Sequence, residues 1–336
     1  MNFHTVLIQQ FVGREFCRGF IKSERDRPDM DQLETKLNRI CNKTPYEVRW
    51  HIEDVRNGGS IHRNGSDVIP SASTRKVAIM MAIFQRVTSG NMDLSETVPT
   101  TEEYMEGKFV CAILPHLEPG LELTLRDHIV MMIAMSDNAS TGPLADKIGL
   151  DAVNEFCRDI GMKNTTHRVG FPNTELDDRV PEEGNTTTAN DQGLLLTEIV
   201  EGSQRAEAAA ELGCTRELCQ EAIKILNKQK YRRRLRGLVP KEANVAHKTG
   251  TVVSSWTETG PVSEGYHDIG IVSNASEPLY TIAAFTNNIS ETLDGGWPPH
   301  AHAKHTIALL NRICWDHFSE GSTESIDVDY SPYIVM

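Results

Sequence analysis

Residues 77–84 (VAIMMAIF) are apolar at every position, and a small polar mouth, residues 71–76 (SASTRK), precedes them. Such a run, opened by helix-start residues, reads as a buried helix. A helix apolar on all sides is stable only when other elements wrap it, so the rest of the chain must be built around it. Ser73 and Lys76 are three apart, so they sit one above the other on a helical face. A serine hydroxyl becomes a nucleophile only when a neighbour removes its proton. A lysine can remove it when burial or a nearby cation disfavours the ammonium form. The helix start adds unpaired backbone N–H groups and a positive dipole end, which suit an oxyanion. By itself, Ser-x-x-Lys reads first as a capped helix with a solvated lysine.

With 336 residues, 39% of them hydrophobic, the chain can bury one large core or two coupled ones. Its formal charge of −13 argues against nucleic acid or an anionic membrane surface as partner. The one basic cluster, residues 228–236 (KQKYRRRLR), reads as a solvated helix face, with phosphate binding as the alternative. Seven scattered cysteines (Cys17, Cys41, Cys111, Cys157, Cys214, Cys219 and Cys314) show no Cys-x-x-Cys or zinc spacing. They read as reduced thiols packed as small core residues in a cytosolic protein. No apolar run has the length of a bilayer span. The first twenty residues lack the basic start, unbroken apolar stretch and cleavage site of a signal peptide, so a cytoplasmic location is expected.

Along the chain, residues 1–28 read as an appendage and residues 30–43 as a helix through Leu33, Leu37 and Ile40. Residues 46–55 alternate like a strand, Asn57-Gly58-Gly59 is a turn, and a second strand is expected near Ile61. Helices are expected over 123–135, 150–160, 191–201 and 207–227, with a loop over 165–185. Strands return at 244–247, 267–273 and 279–287, and a helix over 301–318 follows Pro298-Pro299. Strands at both ends with helices between imply an antiparallel sheet made from the two chain ends. The expected organisation is an α/β (α+β) unit from residues 29–85 and 226–318, an all-α unit over 86–225, and an acidic, loose tail over 319–336.

Two further motifs change the reading of Ser73. Met135 is followed by Ser136-Asp137-Asn138 after an expected buried helix, and His247 by Lys248-Thr249-Gly250-Thr251 at a strand start. With Ser-x-x-Lys, Ser-Asp-Asn and Lys-Thr-Gly in this order and spacing, the chain resembles the class A β-lactamases and their penicillin-binding relatives. The resemblance covers roughly residues 30–318. It implies the serine β-lactamase-like fold and an acyl-enzyme on Ser73. Lys76 would take or relay the serine proton, and Lys248 would add positive charge that disfavours protonation of Lys76. Ser136 would pass a proton to the leaving nitrogen, and Asn138 would offer its amide to an acylamino group. Asp137 would hold its own loop. Gly250 would let substrate backbone lie along the strand edge, and the N–H groups of Ser73 and Thr251 would form the oxyanion hole.

The chain departs from the family in two places. The family carries Glu-x-x-Leu-Asn in the loop after Ser-Asp-Asn, where glutamate and asparagine hold the deacylating water. Here residues 171–179 read FPNTELDDR, so alignment on Leu176 puts Asn173 at the glutamate and Asp177 at the asparagine. With the two types exchanged, Asp177 becomes the candidate general base. Glu175 is the rival, and slow turnover without a base is the third reading. The second departure is that no arginine occurs between Arg236 and Arg312 to grip a substrate carboxylate. Lys248, Thr249 and either His247 or His267 would then bind it without a bidentate fork. Residues 252–264, with Trp256, would line or cover the pocket.

His300-x-His302-x-x-His305 is expected to be surface histidines rather than a metal site, since no carboxylate or cysteine pattern accompanies it. The serine mechanism requires neither metal nor cofactor. The expected substrate is a small amide or β-lactam, with another amide or an ester as alternative and a long-lived acylated binder as the third. A monomer is favoured.

Overall fold

The computed structural model describes residues 29–105, 112–171, 183–257, 260–293 and 297–319. The expected appendage, nearly all of the acidic tail, Cys17, Cys111, Asn173, Glu175, Asp177 and the side chain of Trp256 lie outside this description.

Helix α1 (Met30–Cys41) is capped by Asp29, whose carboxylate accepts from Gln32 N at 3.0 Å. Strands β1 (Glu47–Asp54) and β2 (Ser60–Arg63) follow, paired antiparallel. Gly58 and Gly59 take φ of 73° and 103° at the turn between them, a conformation that favours glycine. A short strand, β3 (Ile69–Pro70), leads into a 3-10 turn over Ala72–Arg75, and α2 runs Lys76–Thr88. Ser73 therefore stands in the tight turn before the α-helix rather than as its first residue.

The middle of the chain is mainly helical: β4 (Thr97–Pro99), α3 (Glu102–Met105), β5 (Glu122–Thr124), α4 (Leu125–Ala134), α5 (Asn138–Ile148) and α6 (Leu150–Asp159). Thr124 caps α4 in a reciprocal capping box with Asp127. After β6 (Thr186–Thr187), which pairs with β3, come α7 (Ala189–Gln204), α8 (Ala206–Glu211) and α9 (Arg216–Leu226). The single helix expected over 207–227 is thus two. Gly213 turns left-handed at φ 65°, and Thr215 caps α9 by accepting from Leu218 N.

Strands β7 (Asn244–Thr257), β8 (Gly260–Ser273) and β9 (Pro278–Asn287) complete a five-stranded antiparallel sheet of order β2-β1-β9-β8-β7, and α10 (Pro299–Phe318) follows. The sheet is buried on both faces. Ile282 and Ala284 of β9 join a core with Leu33, Leu37, Ile307, Leu310 and Trp315 of α1 and α10. Ala283 and Phe285, pointing the other way, join the core built on α2. In α2, Lys76, Val77, Ala78, Ile79, Met80, Met81, Ala82, Ile83 and Phe84 are all buried. The helices α4, α5, α6, α7 and α9 wrap it. Each large apolar side chain buried there contributes about 1.5–3 kcal/mol, so the run that forces a wrapped helix also anchors the turn carrying Ser73.

The described cysteines (Cys41, Cys157, Cys214, Cys219 and Cys314) are free and buried. No helix among the described residues is long and apolar enough to cross a membrane. The histidines of α10 are not all surface groups: His302 Nδ1 lies 2.7 Å from the Tyr46 hydroxyl, tying α10 to the bend just before β1. No group of His, Cys, Asp and Glu among the described residues is placed to hold a metal ion.

Candidate active site

Three segments far apart in sequence converge beside the 3-10 turn. Ser136 follows α4 and takes φ 57°, a left-handed conformation that costs a non-glycine residue about 1–3 kcal/mol. Asp137 stabilises this bend. Its Oδ1 accepts from Ser140 N at 3.0 Å to cap α5, and its Oδ2 accepts from Ile113 N and Leu114 N, both at 3.2 Å. The bend presents three oxygens to Lys76. Its Nζ donates to Asn138 Oδ1 at 2.6 Å and to Ser136 O at 2.8 Å, and reaches Ser136 Oγ at 3.4 Å.

Lys248 approaches Ser136 from the other side. Its Nζ donates to Ser136 Oγ at 2.9 Å and to Thr249 O at 2.7 Å. Both lysines are fully buried. Two cations on one hydroxyl repel each other, while carbonyl and amide oxygens around them favour charge. The hydroxyl between them is therefore well placed to hand a proton either way.

Strand β7 carries Lys248-Thr249-Gly250 against the Ser73 turn. A Cβ on Gly250 would lie 3.1 Å from Thr74 Cγ2, 3.2 Å from Ala72 Cβ and 3.3 Å from Ser73 N. Gly250 thus eases the close approach of the strand to the Ser73 turn.

The sequence reading missed Arg234. Residues 228–236 do not form a solvated helix face, because α9 ends at Leu226 and the segment is pinned to the fold. Gln229 Nε2 donates to Ile133 O at 2.9 Å, and Lys230 N donates to Ala134 O at 2.9 Å. Arg234 is then buried behind β7, where its guanidinium donates to Gly250 O, His267 O and Thr251 Oγ1. Burial lowers its affinity for a proton to a pKa of about 10, which leaves it cationic at neutral pH. The apparent lack of an arginine for this strand is therefore corrected: the cation arrives from upstream of the Lys-Thr-Gly motif. Only the apolar Leu235 after it hinted that this stretch turns inward, since Leu235 is fully buried.

Neither histidine expected to bind a carboxylate is accessible. His247 Nδ1 lies 2.9 Å from both oxygens of Asp268, and both side chains are buried. Asp268 also accepts from Leu235 N at 3.0 Å, which fixes the backbone beside Arg234. His267 Nε2 donates to Pro70 O at 3.0 Å. Burial, reinforced by Arg234, pushes the His267 pKa down to about 3, so it stays neutral.

Asn173, Glu175 and Asp177 lie outside the described residues, but the base of their loop is described. Asn185 Oδ1 accepts from Arg168 N at 2.9 Å and Val169 N at 3.1 Å. Arg75, inside the Ser-x-x-Lys motif, donates to Val169 O at 2.7 Å. The Phe171 ring centre lies 4.2 Å from Arg75 Cζ and 5.2 Å from Lys76 Nζ. The motif's own cations therefore hold the start of the loop.

Comparison with known proteins agrees with this arrangement. The model of the beta-lactamase enzyme family matches residues 32–318. Beta-lactamase VEB-1 of Pseudomonas aeruginosa is 21% identical over 86% of this chain and 91% of its own length. Among solved structures, a beta-lactamase from Chitinophaga pinensis superposes with a TM-score of 0.72 at 22% identity, over 85% of this chain and 98% of that one. The structure of PBP-A superposes at 0.70 with 20% identity, over 87% and 97%. The fold is that of the class A β-lactamases. With a family match spanning nearly all of the described residues and the Ser73 turn set against two buried lysines, the chain belongs to the beta-lactamase enzyme family, as a serine hydrolase of the β-lactamase and penicillin-binding protein type.

Proposed function

We propose that this protein opens β-lactam rings through an acyl-enzyme on Ser73. The observation that carries the reading is Ser136 Oγ held between Lys76 Nζ and Lys248 Nζ at 3.4 and 2.9 Å. In this reading Lys76 reacts as the free amine, its ammonium form disfavoured by Lys248, and Ser73 Oγ attacks the ring carbonyl as its proton passes to that amine. The oxyanion is held by the N–H groups of Ser73 and Thr251. As the carbon–nitrogen bond breaks, Ser136 gives its proton to the ring nitrogen and is resupplied by a lysine. Asn138, Thr249 and Gly250 line the substrate's path. Arg234, through Thr251, makes this part of β7 electropositive, which favours a substrate carboxylate and weakens the case for an uncharged amide or ester. Water then releases the acyl group, with Asp177 as base and Asn173 as its amide partner.

One observation favours a second reading, a protein that is acylated and turns over slowly. Asn173 stands where the family carries its deacylating glutamate. Mass spectrometry after mixing with a penicillin and a chromogenic cephalosporin, with hydrolysis followed in parallel, tests both. Rapid hydrolysis without lasting adduct supports the β-lactamase. A stable adduct on Ser73 with little turnover supports the slow acyl-enzyme. Neither adduct nor hydrolysis overturns both.

A further inference from the structure

Arg234 is the only member of the basic cluster that reaches the Lys-Thr-Gly strand through its side chain among the described residues. Its neighbours Arg232, Arg233 and Arg236, with His300 and Lys304 of α10, line a cavity of about 380 Å³ that Trp297 also borders. None of the active-site residues above lines this cavity. Two of the arginines are positioned by backbone oxygens: Arg236 donates to Ala243 O at 2.9 Å and Arg232 to Gln229 O at 3.4 Å.

The charge here is anomalous. The chain carries −13 overall, yet four cations surround one cavity and no described carboxylate lines it. Among the described residues none of Arg232, Arg233, Arg236 and Lys304 forms an ion pair. Like charges gathered in this way repel, and an anion between them removes the repulsion. The titration of the cluster agrees. Burial first, then Arg234 and Arg233, disfavours the charged form of Lys304. Burial and Lys304 do the same to His300. Guanidinium forks match phosphoryl oxygens in pairs, and a lysine adds a point charge. The indole of Trp297 offers an apolar face at the edge of the same cavity.

We propose that this cavity binds a small phosphoryl compound carrying at least two negative charges, with Trp297 against its non-ionic part. The Tyr266 ring lies between Lys304 of this cavity and Arg234. Lys304 Nζ lies 5.0 Å from the centre of the Tyr266 ring, and Arg234 Cζ lies 5.2 Å from it.

Calorimetric titration of the whole protein with inorganic pyrophosphate and with ADP, at constant ionic strength, tests the proposal. Saturable binding of one equivalent is expected. Arg233 is exposed, so Arg233→Ala should leave the fold intact and weaken binding at least about tenfold. The pair Arg233→Ala with Lys304→Ala should abolish binding, while Lys224→Ala on α9 should leave it unchanged. Tighter binding of ADP than of pyrophosphate would assign Trp297 to a base or similar ring, and equal binding would assign the site to the phosphoryl groups alone. Heat that depends only on ionic strength, or an isotherm untouched by Arg233→Ala, overturns the site. The readout does not involve Ser73, so its failure is distinguishable from failure of the β-lactam reading.

Discussion

Lys76 and Lys248 reach the same atom, Ser136 Oγ, at 3.4 and 2.9 Å from separate segments of the chain. Each keeps other acceptors when that hydroxyl is removed: Ser136 O and Asn138 Oδ1 for Lys76, and Thr249 O for Lys248. Ser136 also holds φ 57°, which suits glycine better than serine. Ser136→Gly should therefore fold as well as the native chain, or gain about 1 kcal/mol, while acylation of Ser73 falls by about 10²–10⁴. Chemical denaturation and the rate of acyl-enzyme formation check this. A variant that acylates at the native rate would remove Ser136 from the proton path.

Arg234 does two jobs that substitution can separate. It satisfies Gly250 O, His267 O and Thr251 Oγ1 in a buried setting, and it charges the middle of β7. Arg234→Ala should cost about 2–4 kcal/mol, because buried acceptors lose their charged donor. It should also raise KM for carboxylated β-lactams about 10–100-fold, with a smaller fall in kcat. Arg234→Lys keeps the charge without the fork, so it should fall between the two in both thermal melting and KM. Equal KM values in all three proteins would confine Arg234 to a structural role.

The difference between what the chain order showed and what it hid follows from range. The apolar run at residues 77–84 has one physical solution, a wrapped helix, and the short-range signal Asn57-Gly58-Gly59 placed a turn where the structure has one. The Ser73, Ser136 and Lys248 motifs were legible because each carries its chemistry within four residues. Arg234 was not, since its partners on β7 and β8 are 16 and 33 residues away and local pattern shows only a run of cations. Gly213 was missed for a related reason. Its left-handed φ breaks the helix, and Gln85, from α2, packs where a Cβ there would stand, a contact local pattern does not show.

Asp177 provides the test of deacylation. If it is the base for the second half-reaction, Asp177→Asn should leave acylation of Ser73 intact and slow release by about 10²–10⁴. A burst of product followed by an accumulated adduct in mass spectra is the expected signature. Asn173→Glu, which restores the family's residue at that position, should then recover part of the lost turnover. If steady-state turnover of Asp177→Asn equals that of the native protein, the exchange of roles between the two positions is excluded.

His267 makes stability depend on acid. Its ring is fully buried beside the Ser73 turn, and burial, then Arg234, pushes its pKa down to about 3. An unfolded histidine titrates near 6.5. Between these values the unfolded chain takes up a proton that the folded chain refuses. This contribution is complete above pH about 6.5 and is lost as pH falls toward 3, at up to about 1.4 kcal/mol per pH unit. His167, also buried, is lowered in the same direction by burial and by Arg75. His267→Gln keeps a donor at the reach of Nε2 for Pro70 O and removes the titration. Its stability in urea should change with pH by about one proton less than that of the native protein between pH 6 and 4. Parallel slopes for the two proteins would mean that His267 takes up its proton without unfolding the chain, and acid sensitivity would then rest on His167.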